Sequence, residues 1–123
     1  MSYAEAHDVA LTTDASGDVT GYTPAVTGRI LTVIFTDTDF DAGADITVTG
    51  DLTAQAILTL TNQAASGTFA PRQATHDIVG AASLHAAAGE PVEDYIWVCQ
   101  EKVKVVVAQG GNVKSAVVTV IVG

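Results

Sequence analysis

Positive charge is the first thing that this sequence lacks. It has five lysines and arginines against fourteen aspartates and glutamates, which gives a formal net charge of −9 at pH 7. A surface with this excess of negative charge repels the phosphate backbone of nucleic acids. We therefore expect no direct binding to nucleic acid, and we expect the charge to keep copies of the chain soluble and apart.

Cysteine and long apolar runs are also scarce. Cys99 is the only cysteine, so no disulfide can form within the chain, and we expect its side chain to be buried. No apolar run reaches the roughly eighteen residues of a membrane-spanning helix. The first residues carry acids where a secretory signal carries bases. These features predict a protein made in a cytoplasm, without a membrane span, that stays there or leaves as part of something larger.

The short motifs of common enzymes are missing as well. The sequence has no G-x-S-x-G, Walker or G-x-G-x-x-G motif. Glu90, Glu93 and Asp94 could serve as paired carboxylates only if two of them faced a cleft. One Trp, three Tyr and three Phe give little material to wall such a cleft. We therefore expect no enzyme activity and no cofactor.

Short β-branched runs between turn residues are abundant. At 123 residues, the chain has the length of a single domain, residues 1–123. The pattern predicts an all-β fold, a β-sandwich or jelly-roll-like barrel of about eight strands. Residues 1–7 lack a strong pattern and are predicted to form a flexible or partner-ordered arm. The stronger predicted strands are 28–36, 46–49, 56–61, 95–99, 102–108 and 113–122, and the weaker ones are 8–12, 19–22 and 67–69.

Two turns are predicted to close β-hairpins. Residues 109–112, Gln-Gly-Gly-Asn, separate the Val-rich runs 102–108 and 113–122, and both Gly and Asn tolerate the positive φ that a tight hairpin needs. Residues 14–18, Asp-Ala-Ser-Gly-Asp, form the second predicted hairpin turn, between two short polar strands.

One Ala-rich segment departs from the β pattern. Thr75 can act as an N-cap, Asp77 places negative charge in a first helical turn, and Gly89 suits the position after a helix. The segment predicts one short helix near residues 76–88, or two turns broken at Gly80.

The densest acidic cluster spans residues 37–45, Asp-Thr-Asp-Phe-Asp-Ala-Gly-Ala-Asp. Asp37, Asp39 and Asp41 match the first three ligands of an EF-hand loop, but Val48 stands where that loop has its final Glu, and neither flank is a helix. A looser calcium site in a bent β loop stays open as an alternative. The simpler interpretation is that Asp and Gly end one strand and begin the next.

The three histidines offer a weaker alternative for a metal. His76 and His85 do not have the spacing of ligands on one helix face, so they could form a zinc site with Asp77 only if the chain brought all three together. The simpler interpretation places His76 and Asp77 at a helix cap and His85 at an interface or on the surface.

Several segments resemble small virion-associated structural proteins of tailed bacteriophages and prophages. In the C-terminal half these are APRQATHD (residues 70–77), GAASLHAAAGEPVEDYI (80–96) and KVKVVVAQGGNVKSA (102–116). The opening TTDASGDVTGYTPAVTGRILTV (12–33) is similar to their start. The resemblance covers the chain from about Leu11 onwards.

This chain departs from the pattern of those proteins at a few positions, which leaves its contact surface open. The departures are His85, Glu93, Asp94, Trp97 and Cys99.

The resemblance implies a non-enzymatic virion component, in particular a capsid decoration or cement protein on the outer surface of the head lattice. The implied partners are the major capsid protein or other virion proteins, and further copies of the chain, with a trimer favoured by symmetry. The alternatives are a head–tail or tail accessory protein and a calcium-assisted carbohydrate-binding adhesion module. Candidate interface residues are Arg72, His76, His85, Gln109 and Asn112.

Overall fold

The computed structural model describes residues 4–123, and within this range it is all-β and contains no helix. The predicted all-β class and the predicted number of strands are therefore confirmed. The eight strands are β1 (Glu5–Thr12), β2 (Val19–Asp37), β3 (Asp45–Gly50), β4 (Ala56–Leu60), β5 (Gly67–Phe69), β6 (Arg72–Ala74), β7 (Glu93–Ala108) and β8 (Ser115–Val122).

The strands form one hydrogen-bonded antiparallel sheet. Its order is β1-β8-β2-β7-β3-β4, with β5 added beside β2 and β6 beside β7. The N-terminal half of β2 pairs with β7, so that Thr20 faces Val106, and its C-terminal half pairs with β8, so that Ile34 faces Thr119. The sheet is therefore organised around β2, which connects its two sides.

The long strand β2 is irregular near its middle. Its register with β7 shifts between Tyr22 and Ala25 and again between Val26 and Gly28. Gly28 has a φ of +143°, a conformation that side chains disfavour. Such bulges bend a strand and increase its twist, so β2 changes direction where its partner changes from β7 to β8.

Valine side chains dominate the core. Residues of β8 alternate between partly exposed and buried positions along its whole length, as a strand with one covered face requires. The same alternation runs through the C-terminal half of β7. A Cβ at Gly21 in β2 would lie 2.5 Å from the Val9 Cγ1 of β1, so β1 passes over the face of β2 without pairing with it.

Both hairpin predictions are wrong in their pairing, although both turns exist. In the structure β7 and β8 lie on opposite sides of β2, and β1 pairs with β8. The amide of Gly17 donates to the Asp14 carbonyl (3.1 Å), and the amide of Gly110 donates to the Gly17 carbonyl (2.9 Å), so the two turns pack on each other. Turn residues specify a chain reversal, but the choice of neighbouring strand depends on the whole sheet.

The predicted helix near residues 76–88 is also wrong. This segment is an irregular extension, defined here as residues 75–92, that carries only two isolated β-bridges, His76 with Ala82 and Leu84 with Pro91. An isolated helix of this length is marginal unless an apolar face packs on something. Ile78, which would lie on that face, is fully exposed, so nothing in the chain stabilises a helix here.

The structure also differs from two smaller predictions, the burial of Cys99 and the N-terminal arm. Cys99 is exposed rather than buried, because it lies on the same face as exposed Trp97, opposite buried Ile96 and Val98. The alternation of β7 is interrupted only after it, at Gln100, which has a positive φ of 51°. Residues 5–7 of the predicted arm lie in β1 and pair with β8. Residues 1–3 of that arm lie outside the described residues.

Candidate functional site

The outermost part of the extension is a tight turn, residues 77–81, which we call the tip. The Asp77 amide donates to the Ala81 carbonyl (2.9 Å). The Asp77 carboxylate oxygen Oδ1 accepts hydrogen bonds from the amides of Val79 (3.0 Å) and Ala81 (2.9 Å). Gly80 supplies the positive φ, +81°, that the turn requires. The tip is therefore held in shape by its own backbone and by Asp77.

Two adjacent apolar side chains project from this turn. Ile78 is 104% exposed and Val79 is 81% exposed. Single exposed apolar residues are common on protein surfaces, but here two neighbours share a turn whose backbone is fixed. Burying both against a partner would remove them from water without first having to order the loop.

The extension is joined to the sheet by backbone hydrogen bonds at its base. The amide and the hydroxyl of Thr75 both donate to the Val92 carbonyl, and each donor–acceptor distance is 2.8 Å. Ser83 lies between the two halves of the extension, since its amide donates to the Thr75 carbonyl (3.0 Å) and its carbonyl accepts from the Val92 amide (2.8 Å). The extension is thus a continuation of β6 and β7 beyond the core.

Both arginines of the chain lie against aromatic rings near the base of the extension. The guanidinium carbon of Arg72 lies 4.1 Å from the centre of the Tyr95 ring. That of Arg29 lies 5.0 Å from the Tyr95 ring and 6.0 Å from the Trp97 ring. We call these four residues the Arg–aromatic row, which crosses β6, β7 and β2 on one exposed face.

The Arg–aromatic row keeps hydrogen-bonding capacity for a ligand. Trp97 is 61% exposed. The Arg29 Nε donates to the Gly123 carbonyl (3.1 Å), and an Arg72 terminal nitrogen donates to the Pro71 carbonyl (2.8 Å). Across residues 4–123, neither guanidinium is paired with an Asp or Glu carboxylate. Since a guanidinium has five N–H donors, both retain donors for an external acceptor.

An open groove of about 450 Å³ adjoins Trp97 and Arg29. Part of its lining is apolar, and Arg29 and Trp97 are both among the lining residues. Its volume lies in the range of sites that hold a small molecule or a few side chains of a partner. The groove is lined by Glu5, His7, Ala25, Val26, Thr27, Gly28, Arg29, Trp97, Val122 and Gly123.

Glu101 is a buried carboxylate close to this face. It is 3% exposed. Its Oε2 accepts hydrogen bonds from the amides of Leu52 (3.0 Å) and Thr53 (3.1 Å), and its Oε1 accepts from the Thr53 hydroxyl (3.1 Å). The Gln55 Nε2 donates to Glu101 Oε1 (3.4 Å) and to the Trp97 carbonyl (2.8 Å).

The protonation of Glu101 follows from these contacts. Burial by itself raises the pKa of Glu101, but the hydrogen bonds from Thr53, Leu52 and Gln55 outweigh burial and hold the pKa below its ordinary value of 4.5. Glu101 is therefore ionised at neutral pH. It fastens the β3–β4 turn to β7 directly behind Trp97, which is a structural role.

The acidic loop between β2 and β3 uses its carboxylates to fix the chain. Asp37 Oδ1 accepts from the Phe40 amide (2.8 Å), and Asp39 Oδ1 accepts from the Ser115 amide (2.6 Å). The Asp41 amide donates to the Gly110 carbonyl (3.0 Å). Within the part of the chain that the structure describes, no group of three or more His, Cys, Asp or Glu residues could hold a metal ion. The calcium site therefore stays a prediction, and the structure gives it no geometric support.

The predicted interface residues fall into two places. Arg72 belongs to the Arg–aromatic row, and His76 and His85 belong to the extension that rises beside it. Gln109 and Asn112 are exposed in the β7–β8 loop, which packs on the 14–18 turn instead.

Sequence reasoning missed the roles of Tyr95, Trp97, Ile78 and Glu101. A signal for Glu101 was present in the sequence. Val98 and Val103 are five residues apart, so a regular strand would place them on opposite faces. Burying both requires a bulge between them, and Glu101 lies in that interval.

Comparisons with known proteins leave this chain without an assigned family. No protein-family model matches the sequence, and no curated protein matches it.

No helix within residues 4–123 has the length and apolar character needed to cross a membrane.

Proposed function

We propose that this chain is a non-enzymatic structural component of a tailed-phage virion, specifically a capsid decoration or cement protein that binds the outer surface of the head. It is made in the host cytoplasm and becomes part of the virion. Its partners are the major capsid protein or other virion proteins, together with further copies of the chain in a homo-oligomer, of which a trimer is favoured.

The observation that carries this proposal is the exposed extension with its preorganised apolar tip. A protein that works by contact needs a rigid scaffold and a shaped projection, and the extension supplies the projection. Weak contacts become strong when many subunits make them on one lattice. The resemblance of residues 70–116 to virion-associated proteins supports the same function, and the net charge of −9 opposes nonspecific contacts elsewhere on the surface.

We infer in addition that the sheet closes over itself as a β-sandwich. Residues of β1 lie against the face of β2 although the two strands do not pair. The bulges near Gly28 let β2 contribute to both layers, which is how strands turn corners in such folds. A closed scaffold of this kind would present the extension rigidly to a partner.

The test is the place and copy number of the chain in an intact particle. Heads and tails of the phage that encodes it are separated, washed and quantified by mass spectrometry against the major capsid protein. A decoration protein is expected in the heads, in a number on the order of that of the major capsid subunits. Absence from washed particles would refute the virion assignment.

The same measurement distinguishes a head–tail or tail accessory protein from a decoration protein. An accessory protein of the neck or tail is present in roughly six to some tens of copies, since it follows the symmetry of the tail. A low copy number in the tail fraction would therefore replace the decoration assignment with this one.

A calcium-assisted carbohydrate binder is the remaining alternative, and it requires that the chain bind calcium. Calorimetric titration with calcium should then release heat and raise the melting temperature, and Asp39→Ala should abolish both effects. We expect neither heat nor a shift for the wild-type chain, because Asp37 and Asp39 already accept backbone hydrogen bonds.

A further inference from the structure

The groove and the Arg–aromatic row together define a receptor surface with a specific chemistry. Ala25, Val26 and Val122 give the groove its apolar character, and Arg29 and Trp97 also line it. A fitting ligand therefore combines apolar side chains with an acceptor of hydrogen bonds from a guanidinium. Tyr, Trp and Arg are also the residues that most often dominate the energy of protein interfaces.

The tip of the extension has the complementary chemistry. Ile78 and Val79 present two apolar side chains, and Asp77 beside them carries a carboxylate of which only Oδ1 is used within the turn. The extension contains Asp77 and Glu90 but no lysine or arginine. Its carboxylates thus match the guanidinium groups of Arg29 and Arg72. Glu5 also lines the groove, where its Oε2 lies 3.6 Å from the His7 Nε2.

The tip does not fill the groove of its own chain. Ile78 and Val79 are almost fully exposed, and no residue of the extension lines the groove. The ligand surface and the receptor surface are therefore both free on one molecule, at different places, so contact between them requires a second molecule.

We propose that the tip of one copy docks into the groove and against the Arg–aromatic row of a second copy. Ile78 and Val79 enter the apolar part of the groove beside Trp97, and Asp77 accepts hydrogen bonds from the Arg29 guanidinium. The contact joins two different surfaces, so it is either head-to-tail, closing into a ring if the rotation between copies allows it, or reciprocal about a twofold axis, with each tip in the groove of the other copy. This contact would be the interface of the homo-oligomer in the proposed function, and its place in a virion rests on that proposed function.

Three variants test the contact, each with one exposed apolar residue changed to aspartate. Ile78→Asp alters the tip, Trp97→Asp alters the row, and Val113→Asp is the matched control, because Val113 is an exposed apolar residue outside both surfaces. Val113 also has a positive φ of 52°, which Asp tolerates. Circular dichroism and thermal melting of each variant establish that it is folded.

Sedimentation equilibrium over a range of concentrations gives the expected pattern. The wild type and Val113→Asp associate, whereas Ile78→Asp and Trp97→Asp each weaken association by at least about thirtyfold, as expected for residues that dominate an interface. An equimolar mixture of the two weakened variants recovers a two-chain species, because one intact tip still meets one intact groove. Only a contact between the tip of one copy and the groove of another predicts this recovery.

Each contrary result overturns the inference. A wild type that stays monomeric at its highest soluble concentration excludes docking between copies, and so does equal association of all variants. If only one of Ile78→Asp and Trp97→Asp weakens association, the tip and the groove are not partners. If both do and their mixture does not recover, the two surfaces matter to association but do not contact each other. None of these outcomes decides whether the chain is present in virions, which the particle analysis measures separately.

Discussion

Val118 and Val79 are the same side chain in two opposite settings. Val118 in β8 is 1% exposed, and Val79 in the tip is 81% exposed. In β8, Val118, Val120 and Val122 lie in the core, whereas Ile78 and Val79 in the extension have nothing packed over them. The comparison shows that an apolar residue is buried only where the topology supplies something to bury it against, which a local pattern does not reveal.

The two regions are also held together by different forces. Many small apolar side chains and strand pairing stabilise the sheet. The extension depends on local hydrogen bonds from Thr75, Asp77 and Ser83 to nearby backbone groups, which contribute roughly 0.5–1.5 kcal/mol each. Substitutions should therefore affect stability strongly in the sheet and weakly in the extension.

The largest effect is expected at the centre of the core. Phe35 is 1% exposed and its ring packs near that of Phe40. Phe35→Ala should lower the free energy of unfolding by about 3–5 kcal/mol, because it removes apolar contacts and leaves a cavity. Urea denaturation followed by tryptophan fluorescence measures it, with Val79→Ala as the control. A loss at Val79 as large as that at Phe35 would contradict the comparison.

A smaller loss is expected at the polar position inside the sheet. Glu101→Gln keeps the size of the side chain but removes the charge that accepts hydrogen bonds from four donor groups of Leu52, Thr53 and Gln55. The free energy of unfolding should fall by about 1–3 kcal/mol. Glu90→Gln, at an exposed acid of the extension, should leave it unchanged. Equal melting temperatures for the two variants would show that Glu101 is not a fastening point.

The contribution of Glu101 should also depend on pH. Its pKa in the folded protein lies below the ordinary value of 4.5, so its ionised form stabilises the fold above that value, and the stabilisation is lost as the pH falls through the folded-state pKa. The difference in unfolding free energy between the wild type and Glu101→Gln should therefore shrink on acidification. Denaturation curves from neutral pH to below the folded-state pKa test this, and a difference that stays constant would argue against it.

The smallest effect is expected at the tip. Ile78→Ser should change the free energy of unfolding by no more than about 0.5 kcal/mol, because its side chain is already in water. Differential scanning calorimetry of the dilute protein measures it under conditions in which copies do not associate. Destabilisation of the size expected at Glu101 would mean that Ile78 packs within its own chain.

Sequence reasoning succeeded where the local residue pattern carried the information. β-Branched runs between turn residues predicted β3, β8 and most of the other strands. It failed where the result depended on distant residues. The segment 102–122 does not show that β2 lies between its two strands, and the Ala content of residues 75–89 does not show that no surface packs against them.

The candidate site was only partly predictable for the same reason. Arg72 was named because arginine is favoured in interfaces, but its position over Tyr95 depends on the pairing of β6 with β7. Arg29 and Trp97 become neighbours because they face each other across β2 and β7. These residues are distant in sequence, so no local motif could have joined them.

The pairing of β1 with β8 has a consequence for how the chain acquires its fold. Glu5 faces Val122, so β1 waits for its partner until every other strand has been synthesised. Contacts between residues so far apart in sequence make folding slow, typically on a scale of about milliseconds to seconds. Residues 115–122 must therefore leave the ribosome before β1 can pair with them, and until then both β1 and the open side of β2 remain available to other nascent strands.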